Sequence, residues 1–162
     1  MITETQKNNR KRLIEEARAR LIDGRFEAGG RFLSTNNPPR LCALGALFTT
    51  WILLDKPEAP VTDFTTQEGF DRFCQALGLT PGKGTRQTVY THLEELTGVI
   101  KEELGTIEAM YEGFYSNAIA YRWYLHSPMN AHQRLLEVLK VIEDSGDGPL
   151  VVVTPSEKRD SQ

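Results

Sequence analysis

The chain has 162 residues, 40% of them hydrophobic and 25% charged, with a formal net charge of −3. That length suffices for one core burying roughly two-thirds of the unfolded surface, and the composition excludes a disordered or collagen-like chain. Mild acidity argues against the basic field that phosphate recognition uses, so nucleic acid would have to bind through a local patch.

Leu13, Ile14, Ala17, Leu21 and Ile22 recur at helical spacing among Lys11, Glu15, Arg18 and Arg20, which predicts an amphipathic first helix ending near Gly24. The residues before it lack the apolar stretch and cleavage site of a secretory leader, so the expected location is the cytoplasm. Residues 24–40 hold Gly24, Gly29, Gly30, Asn36, Asn37, Pro38 and Pro39 and read as a structured loop with a short extended piece at 31–33.

Residues 41–54 form the longest apolar run, too short for the ~20 helical residues that span a bilayer. Their Ala and Leu content predicts a core helix. Ala43, Gly45 and Ala46 would let a neighbour approach closely while Phe48, Trp51 and Ile52 fill volume.

A linker is expected over 55–64, followed by a helix capped by Thr65 and Glu68, striped by Phe70, Phe73, Cys74 and Leu77, and stopped at Gly78. Residues 80–84 make a turn, and Val89, Leu93 and Leu96 mark another helix ending at Gly98. A short piece over 99–104 closes at Gly105. Thr106 then caps a long helix faced by Ile107, Met110, Tyr111 and Phe114 and continued through Ala118, Tyr121 and Trp123 or Tyr124 as far as Ser127-Pro128.

Asn130 and Gln133 cap a last helix built on Leu135, Val138, Leu139 and Ile142. The β-branched residues of 149–153 predict a short strand, with 31–33 as its partner. The expected fold is therefore mainly α: one compact domain over 1–153 with five to six helices and a minor β pairing, then a flexible polar tail over 154–162.

Few constellations carry chemistry. Cys42 is the candidate nucleophile, because unpaired amides at a helix start and Arg40 beside it would lower a thiol pKa; the simpler reading is a small apolar residue that packs. Cys74, on an apolar stripe, reads as core. His92, His126 and His132 lack the close spacing of metal ligands, so no metal or cofactor is expected. The stretch Pro81-Gly82-Lys83-Gly84-Thr85 could cradle a phosphate, but it lacks P-loop spacing and reads as a solvated turn.

The two helices around that turn admit a helix-turn-helix reading with Arg86, Gln87 and His92 facing DNA and Lys83 nearby. Against it stand the long connection and the acidic pair Glu94 and Glu95. The aromatic residues Tyr111, Phe114, Tyr115, Tyr121, Trp123 and Tyr124 crowd one stretch and go all round a helix, so some must face solvent. Tyr115, Tyr121, Trp123 and Tyr124 are the candidate anchors of a protein contact.

The segment Gly24-Arg25-Phe26-Glu27-Ala28-Gly29-Gly30 followed by Leu41-Cys42-Ala43-Leu44-Gly45-Ala46-Leu47 resembles a family of small phage and actinobacterial proteins of unknown function. They share a helix, a glycine-containing turn with an aromatic, and a Cys-x-x-Gly-(Ala or Val)-Leu segment that opens a second helix. The likeness covers about residues 13–54, and Met129-Asn130-Ala131 lacks the acid of the Asn-Asp pair that members often carry. It implies a phage or mobile-element setting and no reaction. The expected function is a protein-binding module of interaction or inhibitor type; the alternatives are a Cys42-dependent hydrolase or transferase and a DNA-binding protein.

Overall fold

A computed structural model describes residues 2–32, 38–55, 75 and 85–153. The first helix, α1 (Glu4–Ile22), begins where sequence alone would start it: Thr3 Oγ1 accepts from Gln6 N (3.1 Å) and Gln6 Oε1 accepts from Thr3 N (3.0 Å), a reciprocal capping box. Its buried face is Leu13, Ile14, Ala17 and Leu21, joined by Arg10. Gly24, at φ 78, turns the chain out of the helix in a conformation that L side chains rarely adopt.

Two short parallel strands follow, β1 (Glu27–Arg31) and β2 (Arg40–Leu41), paired Glu27 to Arg40 and Ala28 to Leu41 with a register irregularity before Arg31. The expected pairing of 149–153 with 31–33 is therefore corrected. Residues 149–153 run without a ladder; Leu150 N donates to Glu103 Oε2 (3.0 Å), Val151 N donates to Ser145 Oγ (3.0 Å), and Leu150 and Val152 pack on the core. Side-chain acceptors meet the amide donors that β propensity alone would assign to a sheet.

The apolar run becomes α2 (Ala43–Asp55), buried at every position from 43 to 52, as its composition predicts. It packs against α1, β2, α3 (Thr85–Thr97), α4 (Lys101–Glu112) and α6 (Ala131–Asp144) and is the axis of the core. The small residues at its start have a specific job. Cys42 N donates to Arg31 O (2.8 Å), and an added Cβ at Gly45 would lie 2.6 Å from the carbonyl oxygens of both Arg31 and Phe32. The end of β1 thus rests directly on the helix backbone, a contact only glycine admits.

In α4 the structure departs from the expected break at Gly105. The helix runs through Gly105 and Thr106, and Thr106 caps nothing: its hydroxyl donates back to Glu102 O (3.1 Å). Leu104, Ile107 and Met110 are fully buried, so packing outweighs the ~1 kcal/mol helix penalty of one glycine. The helix ends at Gly113, φ 79, and Asn117 opens a separate α5 (Ala118–His126) by accepting from Ala120 N (3.1 Å).

Asn130 caps α6 by accepting from Gln133 N (3.2 Å), as predicted, and Leu135, Val138, Leu139 and Ile142 face the core. The protein is mainly helical with one minor parallel pairing, and among the described residues no helix is long and apolar enough to cross a membrane. Of the expected helix at 65–77 only Gln75, which is helical, is described; Cys74, the turn at 80–84 and the tail at 154–162 lie outside the described residues.

Candidate functional site

The aromatic stretch splits by helix geometry. On α5, Ala120 and Trp123 point at the core and are fully buried, while Tyr121 and Tyr124, one position round from each, are half-buried at its edge. Trp123 is thus no contact anchor, and that expectation is corrected. It is the largest fully buried side chain, and its indole N–H has no acceptor among the described residues. Sequence spacing shows that an aromatic faces inward, but which one depends on the angle at which α5 meets α4.

The three tyrosines form a ladder. Tyr121 stacks on Tyr124 with centroids 6.4 Å apart and planes at 14°, and Tyr115, 82% exposed, meets Tyr121 edge to face at 5.7 Å. Tyr124 is held from two sides. Its ring lies on the backbone of Gly113, where an added Cβ would come within 2.8 Å of it, and the Arg134 guanidinium sits 5.0 Å from its centroid.

Arg134 is itself fixed by donating to Tyr111 O (2.9 Å), Met129 O (3.1 Å) and Pro128 O (3.2 Å), and so ties α6 to the last turn of α4 and to the turn after α5. Nothing in the sequence pattern singles out Arg134 or Gly113; both act through residues distant in the chain. Beside the ladder Phe114, Ile119, Leu125 and Met129 are exposed, Met129 almost completely.

Cys42 does not fit the nucleophile reading. It is 3% exposed, burial pushes its thiol up to about 12, and its Sγ accepts from Gly45 N at 3.4 Å. The charges that act on it, Glu112 and Glu108, raise its pKa further, while Arg40 pairs with Glu27 at 3.6 Å. A thiol at that value is un-ionised at neutral pH and cannot attack. Amides at the helix start do favour the thiolate, but desolvation outweighs them.

Next to Cys42 lies a polar cluster that the sequence does not announce. Tyr90 Oη donates to Glu108 Oε1 (2.5 Å), Arg86 pairs with Glu108 Oε2 (3.2 Å), and Tyr111 Oη donates to Gly29 O (2.6 Å). Burial, then Glu108 one turn away, raises the Glu112 pKa. Each oxygen of the buried Glu108 carboxylate has a partner, and through them the cluster braces α3 against α4.

His92 is buried between Trp51 (centroids 4.1 Å apart) and Phe48 (5.8 Å), with both ring nitrogens unpartnered among the described residues. It cannot face DNA. Desolvation lowers its pKa to about 4, so it is neutral at physiological pH. Of the other described residues of the DNA reading, Arg86 is engaged by Glu108 and Gln87 is exposed.

Arg10, 6% exposed, is a structural residue that sequence reasoning missed. It donates to Thr97 O at the end of α3 (3.2 Å) and to Gly146 O (2.6 Å) and Gly148 O (3.1 Å) beyond α6. Clefts of about 520 and 490 Å³ lie on either side of the Lys7–Asp147 ion pair (3.0 Å) above it, and each is lined by charges of both signs. Among the described residues, no three His, Cys, Asp or Glu side chains converge as metal ligands. No family model, curated protein or solved structure matches the chain.

Proposed function

We propose that this is a protein-binding module, of interaction or inhibitor type, that engages its partner through the α5 surface with Tyr115, Tyr121 and Tyr124 as anchors. One observation carries the reading. Phe114, Tyr115, Ile119, Leu125 and Met129 are all exposed within α5 and the turns that flank it, whereas Ile22, Ile100, Val151 and Val153, the other large exposed hydrophobics described, are scattered along the chain. A concentration of exposed apolar and aromatic side chains with a polar rim is the composition of a contact surface.

The ladder also supports the reading through its rigidity. Tyr124 is wedged between Gly113 and Arg134, so little side-chain entropy remains to be lost when a partner arrives. Tyrosine anchors that a partner covers are worth about 2 kcal/mol each on alanine truncation. Thiol chemistry at Cys42 is not part of the proposal. A cytoplasmic, phage or mobile-element setting is, on the strength of the Cys-x-x-Gly-Ala-Leu segment and its resemblance.

The test is a photo-crosslinking phenylalanine analogue placed at Tyr115, with the same group at exposed Lys140 on α6 as control. The expected result is one dominant cross-linked heteromeric species from position 115, absent from position 140 and lost on Tyr121→Ala. Equal, diffuse labelling from both positions overturns the proposal.

A further inference from the structure

We infer that, independently of the α5 surface, the clefts flanking the Lys7–Asp147 ion pair bind a zwitterion: a free α-amino acid with a large apolar side chain, seated between Lys7 and Asp147. The two clefts, about 520 and 490 Å³, share Lys7, Arg10 and Asp147 as walls. Each has the size of a small-molecule site.

Arg10 is the fixed part of this site. Only 6% exposed, it gives Nε to Thr97 O and Nη1 to Gly146 O and Gly148 O, and among the described residues no acceptor meets its Nη2. Three carbonyls hold the guanidinium before a ligand arrives, so a carboxylate meeting Nη2 costs little side-chain entropy. Glu103 and Asp147 act on the Arg10 charge, and Glu103 is already occupied by Leu150 N (3.0 Å).

The ion pair is the movable part. Lys7 Nζ meets Asp147 Oδ2 at 3.0 Å with both side chains about half exposed, and a pair so exposed to water contributes little to stability. A ligand that satisfies both partners can therefore part them: its carboxylate takes Lys7 Nζ and Arg10 Nη2, and its ammonium takes Asp147.

The walls favour both charges on one molecule. In the first cleft Lys7, Arg10 and Lys11 stand against Glu15, Glu143 and Asp147, and the second is mixed in the same way. A lone anion or a lone cation would meet its own sign on every side. Ile100, 48% exposed, and Pro149 line the second cleft and give the ligand's side chain an apolar wall.

The test titrates the full chain with L-phenylalanine, with its amide, which keeps the ammonium and loses the carboxylate, and with N-acetyl-L-phenylalanine, which does the reverse. Calorimetry gives affinity and amide chemical shifts give the site. The free amino acid is expected to bind with a Kd of about 1 mM or tighter, at least about tenfold tighter than either derivative, and to move amides at 7–11, 98–103 and 146–148. Lys7→Gln and Asp147→Asn, surface changes checked by thermal melting, should each weaken it at least about tenfold, and Asp147→Asn should bring the N-acetyl form level with the free amino acid. Ile100→Ser, at the N-cap of α4 where serine is favoured, should remove the preference for phenylalanine over alanine.

A derivative that binds the parent protein as well as the free amino acid overturns the zwitterion inference. Shifts confined to the α5 surface, or full affinity in both Lys7→Gln and Asp147→Asn, overturn the site. No shift anywhere at about 10 mM phenylalanine overturns both and leaves Lys7 and Asp147 as a surface ion pair only.

Discussion

Replacing Gly45 by alanine sets helix propensity against packing. Gly45 lies inside α2, where propensity alone predicts that alanine stabilises by about 1 kcal/mol. The structure predicts the opposite sign. The new Cβ would lie 2.6 Å from the carbonyl oxygens of Arg31 and Phe32 and 2.8 Å from Phe32 Cα, all of them backbone, whereas ordinary contact begins at 3.4 Å.

The end of β1 would have to retreat by about 0.8 Å, the gap between ordinary contact and the built position, and it is tethered there by Cys42 N donating to Arg31 O. Overpacking costs about 1–3 kcal/mol and weakening that hydrogen bond about 1 kcal/mol, so after the propensity gain Gly45→Ala should destabilise by about 1–3 kcal/mol. Urea unfolding followed by circular dichroism measures it, with an unchanged slope required for a two-state reading. Gly105→Ala is the control. Among the described residues its Cβ would meet only Tyr90 Oη, at 3.8 Å, so it should stabilise by about 0.5–1 kcal/mol. A Gly45→Ala protein as stable as the parent, or more so, would refute the packing argument.

Trp123→Ala should cost about 3–5 kcal/mol, whereas Tyr115→Ala, at an exposed position, should stay within about 0.5 kcal/mol; thermal melts separate the two. In a Cys74→Ser background the Cys42 thiol should label with a thiol reagent only as fast as the protein opens, and a fast burst at neutral pH would contradict its burial. His92 has a folded pKa of about 4, below its ordinary 6.5, so the unfolded state binds the extra proton between those values. Stability should therefore fall as pH drops from 6.5 to 4, with up to about 3 kcal/mol from this residue. Comparing the parent with His92→Gln over that window isolates the histidine from the carboxylates, and identical slopes would remove it as the cause.

The elements read most directly from the sequence are those governed by near neighbours. The stripe of Leu13, Ile14, Ala17 and Leu21, the Asn130 and Gln133 cap, and the apolar run opening at Ala43 each encode a helix within a few residues of chain. The capping box of Thr3 and Gln6 is equally local, but it precedes the apolar stripe that marks the helix. At the candidate site, Tyr115, Tyr121 and Tyr124 were legible as amphipathic rings crowded into one segment, but the separation of Trp123 from them was not.

What the sequence by itself determined was therefore the kind of protein: mainly helical, with a buried helix opening just after Cys42 and an aromatic cluster between Tyr111 and Tyr124. Periodicity and capping are properties of residues three or four apart, and those are visible in a string of letters. Tertiary structure alone decided that Trp123 turns inward, that α4 continues through Gly105, that Arg10 is buried, and that Glu27–Arg31 finds its partner at Arg40–Leu41. Each of these is settled by contacts across long stretches of chain, such as Arg10 with Thr97 and Gly146 or Arg134 with Tyr111, whose energies exceed the local preferences they override.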